Sequence, residues 1–145
     1  MDRKEFLKTC CLLGAAVPAS SLIQSCGPLQ YYANSTFATN VITIRKSEFI
    51  AVRRDKQTIR DFILVRNEKL EFPVCIYRHG DSEFSALYTR CTHRGCEVKP
   101  SRNYLHCPCH GSEFSNKGEV LNPPAEKNLE QFQITFDDEN IYVHI

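Results

Sequence analysis

The chain has 145 residues, which is the usual length of a single domain. Its 18 lysines and arginines nearly balance its 17 aspartates and glutamates, so the composition gives no sign of a nucleic-acid-binding protein. Apolar residues make up 42% of the chain, enough for a modest core, and eight cysteines are many for this length.

Residues 1–25 have the organisation of an export signal peptide. Arg3, Lys4 and Lys8 precede an apolar run, Thr9–Val17, that is too short for a transmembrane helix of about 20 residues. The pair at positions 3 and 4 is similar to the twin-arginine export motif, with lysine in place of the second arginine. The sequence therefore predicts an exported protein and leaves the export route open.

The segment Leu22–Cys26 resembles a bacterial lipobox, with an apolar residue three positions before the cysteine and a small residue just before it. This resemblance implies cleavage before Cys26, lipidation of its thiol and attachment to a membrane. A plain cleaved leader is the alternative. The uncharged stretch that follows predicts a lipid-anchored tether over residues 26–40 and a folded domain over 41–145, facing the periplasm.

From Val41 onward the sequence predicts an all-β domain. The predicted strands are short β-branched or aromatic runs separated by charged turns: Val41–Ile44, Phe49–Val52, Arg60–Val65, Val74–Tyr77, Phe84–Tyr88, Phe132–Phe136 and Ile141–Ile145. His79–Ser82 predicts a hairpin turn, and Cys75 is expected to be a buried free thiol. Without helical periodicity, these features indicate an antiparallel β-sandwich or barrel.

Two compact motifs contain four of the eight cysteines and two of the five histidines. They lie ten residues apart and read Cys91-Thr-His93-Arg-Gly-Cys96 and Cys107-Pro-Cys109-His110-Gly-Ser112. Each motif offers thiolates and an imidazole across a tight turn, which is the ligand chemistry of zinc or of iron–sulfur centres. Zinc sites commonly have other spacings, and two cysteines would be left unexplained. The pattern favours an iron–sulfur centre, with zinc as the alternative.

The two motifs resemble those of the Rieske iron–sulfur family, whose pattern is C-x-H-x-x-C followed by C-P-C-H-G-S. The resemblance implies a 2Fe–2S cluster as cofactor. It places Cys91 and Cys107 on one iron. It places His93 and His110 on the other iron, so that two imidazoles replace two of the usual thiolates.

The same resemblance implies a disulfide between Cys96 and Cys109, which is found in high-potential members of the family. It also implies a small cluster-binding lobe at about residues 90–125, set on the β domain. A lasting disulfide requires an oxidising compartment, and this agrees with the predicted export.

Residues around the motifs are expected to tune the cluster. In the family, the hydroxyl at the position of Ser112 donates a hydrogen bond to a cluster sulfur and raises the reduction potential. Phe114 stands where quinol-oxidising members carry a tyrosine that donates a second bond, which implies a lower potential here; ordinary packing is the alternative. Asn122–Ala125 takes the place of a loop that covers the cluster, or is a simple proline-rich turn. His106 is expected to be structural or exposed.

The resemblance implies one-electron transfer, with the chain as a component of an oxidoreductase rather than a catalyst on its own. Its expected partners are redox proteins of a membrane-associated complex, either quinol-oxidising and cytochrome bc-like or arsenite-oxidase-like. A membrane-tethered electron shuttle or redox sensor that works alone is the alternative. A Rieske oxygenase is not favoured, because no large catalytic domain follows the motifs and oxygenase clusters usually lack the disulfide cysteines.

Overall fold

The structure is a computed structural model that describes residues 30–145. The predicted leader, the lipidation site at Cys26 and the first residues of the predicted tether lie outside these residues. The described strands are β1 Ser35–Ala38, β2 Val41–Arg45, β3 Ile50–Arg53, β4 Lys56–Ile59, β5 Phe62–Val65, β6 Val74–Arg78, β7 Phe84–Tyr88, β8 Lys99–Pro100, β9 Tyr104–His106, β10 Glu113–Ser115, β11 Val120–Asn122, β12 Gln131–Phe136 and β13 Asn140–His144. A short 3₁₀-helix spans Lys46–Phe49. No helix in the described range is long and apolar enough to cross a membrane.

Seven strands form a curled antiparallel sheet in the order β1-β2-β13-β12-β7-β6-β5. The residues just before β1 connect the two edges of this sheet, because Tyr32 forms a parallel bridge with Leu64 of β5, the opposite edge strand. The Ala33 N–H donates to the Leu64 carbonyl at 2.8 Å, and the Leu64 N–H donates to the Tyr31 carbonyl at 2.9 Å. The all-β prediction is confirmed. Residues 31–38, assigned to the tether by sequence reasoning, are paired with the sheet.

Strands β5, β6 and β7 are buried on both faces, which explains why their sequences are almost continuously apolar. Successive side chains of a strand point to opposite faces, so the three strands contribute to two cores. One core fills the curled sheet and includes Ile63, Val74 and Ile76. The other packs against a second sheet and includes Cys75 and Leu87. Full burial of one such aliphatic side chain stabilises the fold by about 1.5–3 kcal/mol.

The second sheet has four strands in the order β11-β10-β9-β8 and forms a lobe on the outer face of β5–β7. The hydroxyl of Tyr77, on β6, donates to the Ser101 carbonyl at 2.7 Å, and the hydroxyl of Ser85, on β7, donates to the Asn116 carbonyl at 2.7 Å. Burial raises the pKa of Tyr77 far above its usual value, so this hydroxyl remains a donor. These bonds fix the position of the lobe on the seven-stranded sheet.

The first residues of β3 and β5 differ from the sequence prediction. Phe49 ends the 3₁₀-helix, and β5 begins at Phe62 rather than at Arg60. The Arg60 N–H donates to the Phe49 carbonyl at 2.7 Å. Its guanidinium donates to the carbonyls of Glu48 at 3.0 Å and Ile50 at 2.8 Å. Arg60 therefore closes the base of the β3–β4 hairpin instead of starting β5.

Candidate metal centre

The two cysteine–histidine motifs form loops with the same backbone hydrogen bonds. The Cys91 N–H donates to the Cys96 carbonyl and the Gly95 N–H donates to the Cys91 carbonyl, both at 2.8 Å. The second loop repeats these bonds at 2.8 and 3.0 Å, with Cys107 and Gly111 in the equivalent positions. Both glycines have positive φ angles, +78° and +82°, which disfavour any residue with a Cβ. The short spacing of each motif therefore produces one tight turn.

The four predicted ligands lie on these two loops. Cys91 and Cys107 are buried free thiols in the core beneath the loops. The rings of His93 and His110 lie edge to face, with their centroids 4.9 Å apart. His93 is half-buried and His110 is exposed. The loops thus place two thiols towards the core and two imidazoles towards the surface.

The surroundings of these side chains fit a bound metal. Nδ1 of His93 is buried and has no hydrogen-bond partner among the described residues, a rare state for a buried polar atom unless a ligand takes its lone pair. Burial raises the pKa of the Cys107 thiol and the adjacent Cys91 thiol raises it further, although the backbone N–H of Cys109 opposes both. The buried Cys107 thiol therefore stays protonated unless a positive charge, such as that of iron, stabilises its thiolate.

A disulfide between Cys96 and Cys109 joins the two loops. This pairing was implied only by the family resemblance, and the structure confirms it. The Sγ atoms of Cys96, Cys107 and Cys109 lie within 4.8 Å of one another. Because two of these sulfurs are oxidised, only Cys107 of the three can offer a thiolate. This trio is therefore not a metal site by itself.

Replacing both Cys96 and Cys109 by serine should lower the free energy of unfolding by about 3 kcal/mol. The two cysteines are 13 residues apart, and a disulfide that closes a loop of about 15 residues contributes about this much. The loss of stability should appear first in the two loops that the disulfide joins. We expect the visible absorbance of the iron-loaded protein to disappear at a lower temperature than in the unaltered protein. Thermal melts followed by absorbance and by circular dichroism measure both effects. An unchanged absorbance melt would contradict the conclusion that the disulfide stabilises the two loops.

Ser112 is fully buried behind the second loop and retains a free hydroxyl proton. Its Oγ accepts a hydrogen bond from the Ala125 N–H at 3.0 Å, which leaves the hydroxyl hydrogen available to a further acceptor. Asn122, from the same proline-rich segment, donates through Nδ2 to the Gly111 carbonyl at 3.4 Å. The segment Asn122–Ala125 therefore contacts the second loop at two points and helps to orient Ser112.

Phe114 and His106 occupy the strands on either side of this loop. The Phe114 ring is completely buried and packs in the same core as Leu105 and Cys107, so it offers packing and no hydrogen-bond donor. His106 is half-buried on β9, with Nδ1 3.8 Å from a carboxylate oxygen of Glu113. This neighbour is a surface carboxylate on the adjacent strand β10.

Sequence reasoning missed the residues that hold the first loop from outside. The Thr92 hydroxyl donates to the Lys127 carbonyl at 2.6 Å, across a separation of 35 residues. The Arg90 side chain lies against Gly95. A cleft of about 430 Å³ opens beside His93 and is lined also by Arg90, Thr92 and Lys127. No local pattern marks these residues, because their roles depend on contacts between distant parts of the chain.

A β-barrel-like sheet that carries two cysteines and two histidines on disulfide-linked loops defines an iron–sulfur protein of the class in which imidazoles replace two thiolates. The sequence profile of the family described as Rieske 2Fe-2S domain matches residues 48–133. The chain belongs to this family, and its cofactor is a 2Fe–2S cluster.

Named relatives agree with this assignment. The cytochrome b6-f complex iron-sulfur subunit of Synechococcus sp. (strain JA-3-3Ab) is 42% identical over 83 residues, or 56% of this chain and 48% of that protein. The subunit of the same name from Chlorobaculum tepidum is 32% identical over 74 residues, or 50% and 40% of the two chains. The chain therefore spans about half the length of the curated relatives it matches.

Among solved structures, the cyanobacterial plasma membrane Rieske protein PetC3 from Synechocystis PCC 6803 is 34% identical to this chain. The superposition has a TM-score of 0.51 and covers 57% of this chain and 85% of that chain. The similarity therefore extends over most of an independently solved Rieske domain.

Proposed function

We propose that this protein transfers single electrons as the iron–sulfur subunit of a membrane-associated, quinol-oxidising cytochrome bc-like complex. Cys91, Cys107, His93 and His110 are the proposed ligands of its 2Fe–2S cluster. The observation that carries the assignment is Nδ1 of His93, which is buried without a hydrogen-bond partner among the described residues, on a loop that also carries the buried free thiol of Cys91. The relatives named as cytochrome b6-f subunits support the kind of complex.

Each part of the site has a distinct task in this proposal. When bound, the 2Fe–2S group supplies a one-electron acceptor and donor. Cys91 and Cys107 supply negative charge on the buried side, where the packed ring of Phe114 excludes water. His93 and His110 supply neutral nitrogen ligands on the outer side. Because His110 is exposed, it forms the edge that an electron-transfer partner can approach.

We also propose that the chain is exported and anchored by a lipid on Cys26, after removal of residues 1–25. The Cys96–Cys109 disulfide supports an oxidising compartment. Cys26 precedes Gln30, the first described residue, by four positions. Four residue steps can span at most about 14 Å. A lipid there would keep the domain next to the membrane surface.

Low-temperature EPR with a redox titration, recorded on membranes that contain the full-length protein, tests the proposed cofactor and ligands. The rhombic spectrum of a reduced, histidine-ligated cluster is the expected result. A protein that binds stoichiometric zinc and gives no EPR signal would overturn the assignment. Purification from mild detergent tests the complex: we expect cytochrome subunits in equal amounts, whereas isolation of the chain alone would contradict a subunit role.

Ser112→Ala should lower the reduction potential without removing the cluster. The hydroxyl proton of Ser112 is free to donate to a cluster sulfur, and such a bond is stronger when the cluster carries the extra electron. A hydrogen bond to a charged group is worth about 1.5–3 kcal/mol. Only the part of this energy that the bond gains on reduction changes the potential, so the decrease should be at most about 130 mV for one electron. A redox titration measures the shift.

Ser115→Ala is the matched control for this substitution. The Ser115 hydroxyl accepts backbone hydrogen bonds from Lys117 and Glu119 at the end of β10, away from the two loops. We expect its potential to equal that of the unaltered protein. Equal potentials in both variants would contradict the role of Ser112.

A further inference from the structure

We propose that the hairpin formed by β3 and β4 docks onto the headgroup region of an anionic membrane and holds the domain there at a second point. The inference rests on the proposed lipid anchor at Cys26. Strands Ile50–Arg53 and Lys56–Ile59 pair only with each other, as a two-stranded sheet separate from the two larger sheets of the described chain. The hairpin is therefore free to make contacts outside the domain.

One face of this hairpin is aliphatic and exposed. Ile50 lies directly opposite Ile59 in the register, and Val52 follows on the same face, opposite the polar Gln57, because strand side chains alternate. These side chains are 45%, 61% and 68% exposed, in the order Ile50, Ile59 and Val52. Ile50 and Ile59 also line a groove of about 750 Å³. The groove is lined further by Phe84, by three basic residues and by three acidic residues, Asp81, Asp138 and Glu139. Aliphatic groups gathered on one projecting element indicate a contact surface.

The turn of the same hairpin is basic. Arg53, Arg54 and Lys56 are exposed and are accompanied by one acidic residue, Asp55. None of the three basic side chains forms a salt bridge with another described residue. The whole chain has a net charge of only +1, so this concentration of positive charge is local. Arg53 and Lys56 lie on the face opposite to Val52, because they are one pair further along the register, and Arg54 lies in the turn. Basic residues at the end of a hairpin that also exposes aliphatic groups match the chemistry of an anionic bilayer surface.

The described chain begins beside the base of this hairpin. The Tyr31 hydroxyl donates to the Glu48 carboxylate at 2.7 Å, and the Arg60 guanidinium lies 3.7 Å from the centre of the Tyr31 ring. Glu48 and Arg60 flank the hairpin in sequence. Because the four residue steps from Gln30 to Cys26 can span at most about 14 Å, a lipid on Cys26 would bring the hairpin close to the bilayer. The anchor and the hairpin would then act on the same side of the domain.

Docking of the hairpin leaves the proposed metal ligands accessible. Arg78 and Phe84, which line the groove beside the hairpin, pair at one end of β6 and β7. Tyr88, at the other end of β7, leads directly into the loop that begins at Cys91. These two ends are about 15 Å apart, the length of a five-residue strand. A redox partner can therefore reach His110 while the hairpin contacts lipid.

A single introduced tryptophan tests this contact, because the chain contains no tryptophan. Full-length holoprotein carrying Val52→Trp is compared with a Leu121→Trp control, since Leu121 is 58% exposed but lies on the lobe. On vesicles of phosphatidylglycerol and brominated phosphatidylcholine, we expect a blue shift and quenching only for Val52→Trp. Unquenched emission from both variants, or equal quenching of both, would overturn the proposal.

Charge reversal tests the basic turn separately from the anchor. In a Cys26→Ser background, which removes the proposed lipid site, Arg53→Glu combined with Arg54→Glu should weaken binding to phosphatidylglycerol vesicles about 30-fold. The control reversals Lys99→Glu and Arg102→Glu, on the lobe, should leave binding nearly unchanged.

If reversal at the turn abolishes co-purification of a protein subunit and leaves vesicle binding intact, the surface binds protein and membrane docking is wrong. EPR spectra of the same samples show whether the cluster is present. They therefore separate failure of the docking proposal from failure of the proposed electron-transfer function.

Discussion

Cys107→Ser should abolish iron binding while the seven-stranded sheet remains folded. The thiol of Cys107 is buried next to Cys91, and a serine hydroxyl in its place is a far poorer ligand for iron than a thiolate. We expect the iron content to fall from two atoms per chain to almost none, with loss of visible absorbance and of the EPR signal. Cys107 lies in the core under the lobe, whereas the core inside the curled sheet has no part in the site. The circular dichroism of the sheet should therefore be retained.

Cys75→Ser is the matched control, because Cys75 is also a buried free thiol of the same core. Its serine variant places a polar hydroxyl in a buried, mostly apolar environment and should lose about 1–3 kcal/mol of stability. It should still bind two iron atoms per chain, since Cys75 lies on β6 and outside both loops. Iron analysis of the two variants shows whether Cys107 is a ligand. Equal iron in both folded proteins would exclude Cys107 as a ligand.

Local sequence signals predicted the parts of the fold that depend on neighbouring residues. Strands β6 and β7 were predicted nearly to their ends, because their apolar runs are flanked by turn residues. The alternation in β12 was informative but incomplete. Phe132 and Ile134 are partly buried, as expected. Phe136 on the same face is exposed, since it lies near the strand end with the Lys46 ammonium 4.8 Å from its ring centre.

Strands that lack an apolar pattern could not be predicted in this way. Every residue of β1 is exposed, so its sequence contains no sign of a buried face. Its place in the sheet comes from backbone pairing with β2, which is independent of side-chain type. The polar strand β4 is held in the same way by β3. Sequence patterns record burial, and these strands are stabilised mainly by hydrogen bonds of the main chain.

At the candidate site, as in the fold, features carried by neighbouring residues were predictable and contacts between distant residues were not. The family resemblance implied the four proposed ligands and the disulfide, because the residues that carry it lie within two short loops. The contact between Ser112 and the Ala125 N–H was not predictable, since it requires the proline-rich segment to fold back over the second loop. The bond from Thr92 to the Lys127 carbonyl likewise joins distant residues. The sequence thus predicted which residues bind the metal, and the structure adds the groups that hold the two loops in place.

A chain that begins at Val41 should be much less stable than one that begins at Gln30. The longer chain retains β1, which pairs with β2, and the residues that join the sheet edge to Leu64. Four of the hydrogen bonds lost with this segment, two to Leu64 and two to Glu48, contribute about 1 kcal/mol each, which gives a difference of about 4 kcal/mol in the free energy of unfolding. Urea denaturation of the two iron-loaded chains measures it.

Glu48 provides the control for this comparison, because its carboxylate fixes the N-terminal segment. It accepts hydrogen bonds from the Tyr31 hydroxyl at 2.7 Å and from the Asn34 N–H at 3.0 Å. Burial raises the pKa of Glu48, but these bonds outweigh it and hold the pKa below the usual 4.5. Its contribution is therefore complete above about pH 4.5 and is lost as the pH falls through the lower folded-state pKa.

Glu48→Gln should thus destabilise the chain that begins at Gln30 and have little effect on the chain that begins at Val41, where both donors are missing. The stability difference between the two chains should also become smaller in acid, as Glu48 is protonated. If both chains instead unfold at the same urea concentration at neutral pH, residues 30–40 add nothing to the sheet. They would then act as the tether that the sequence alone predicts.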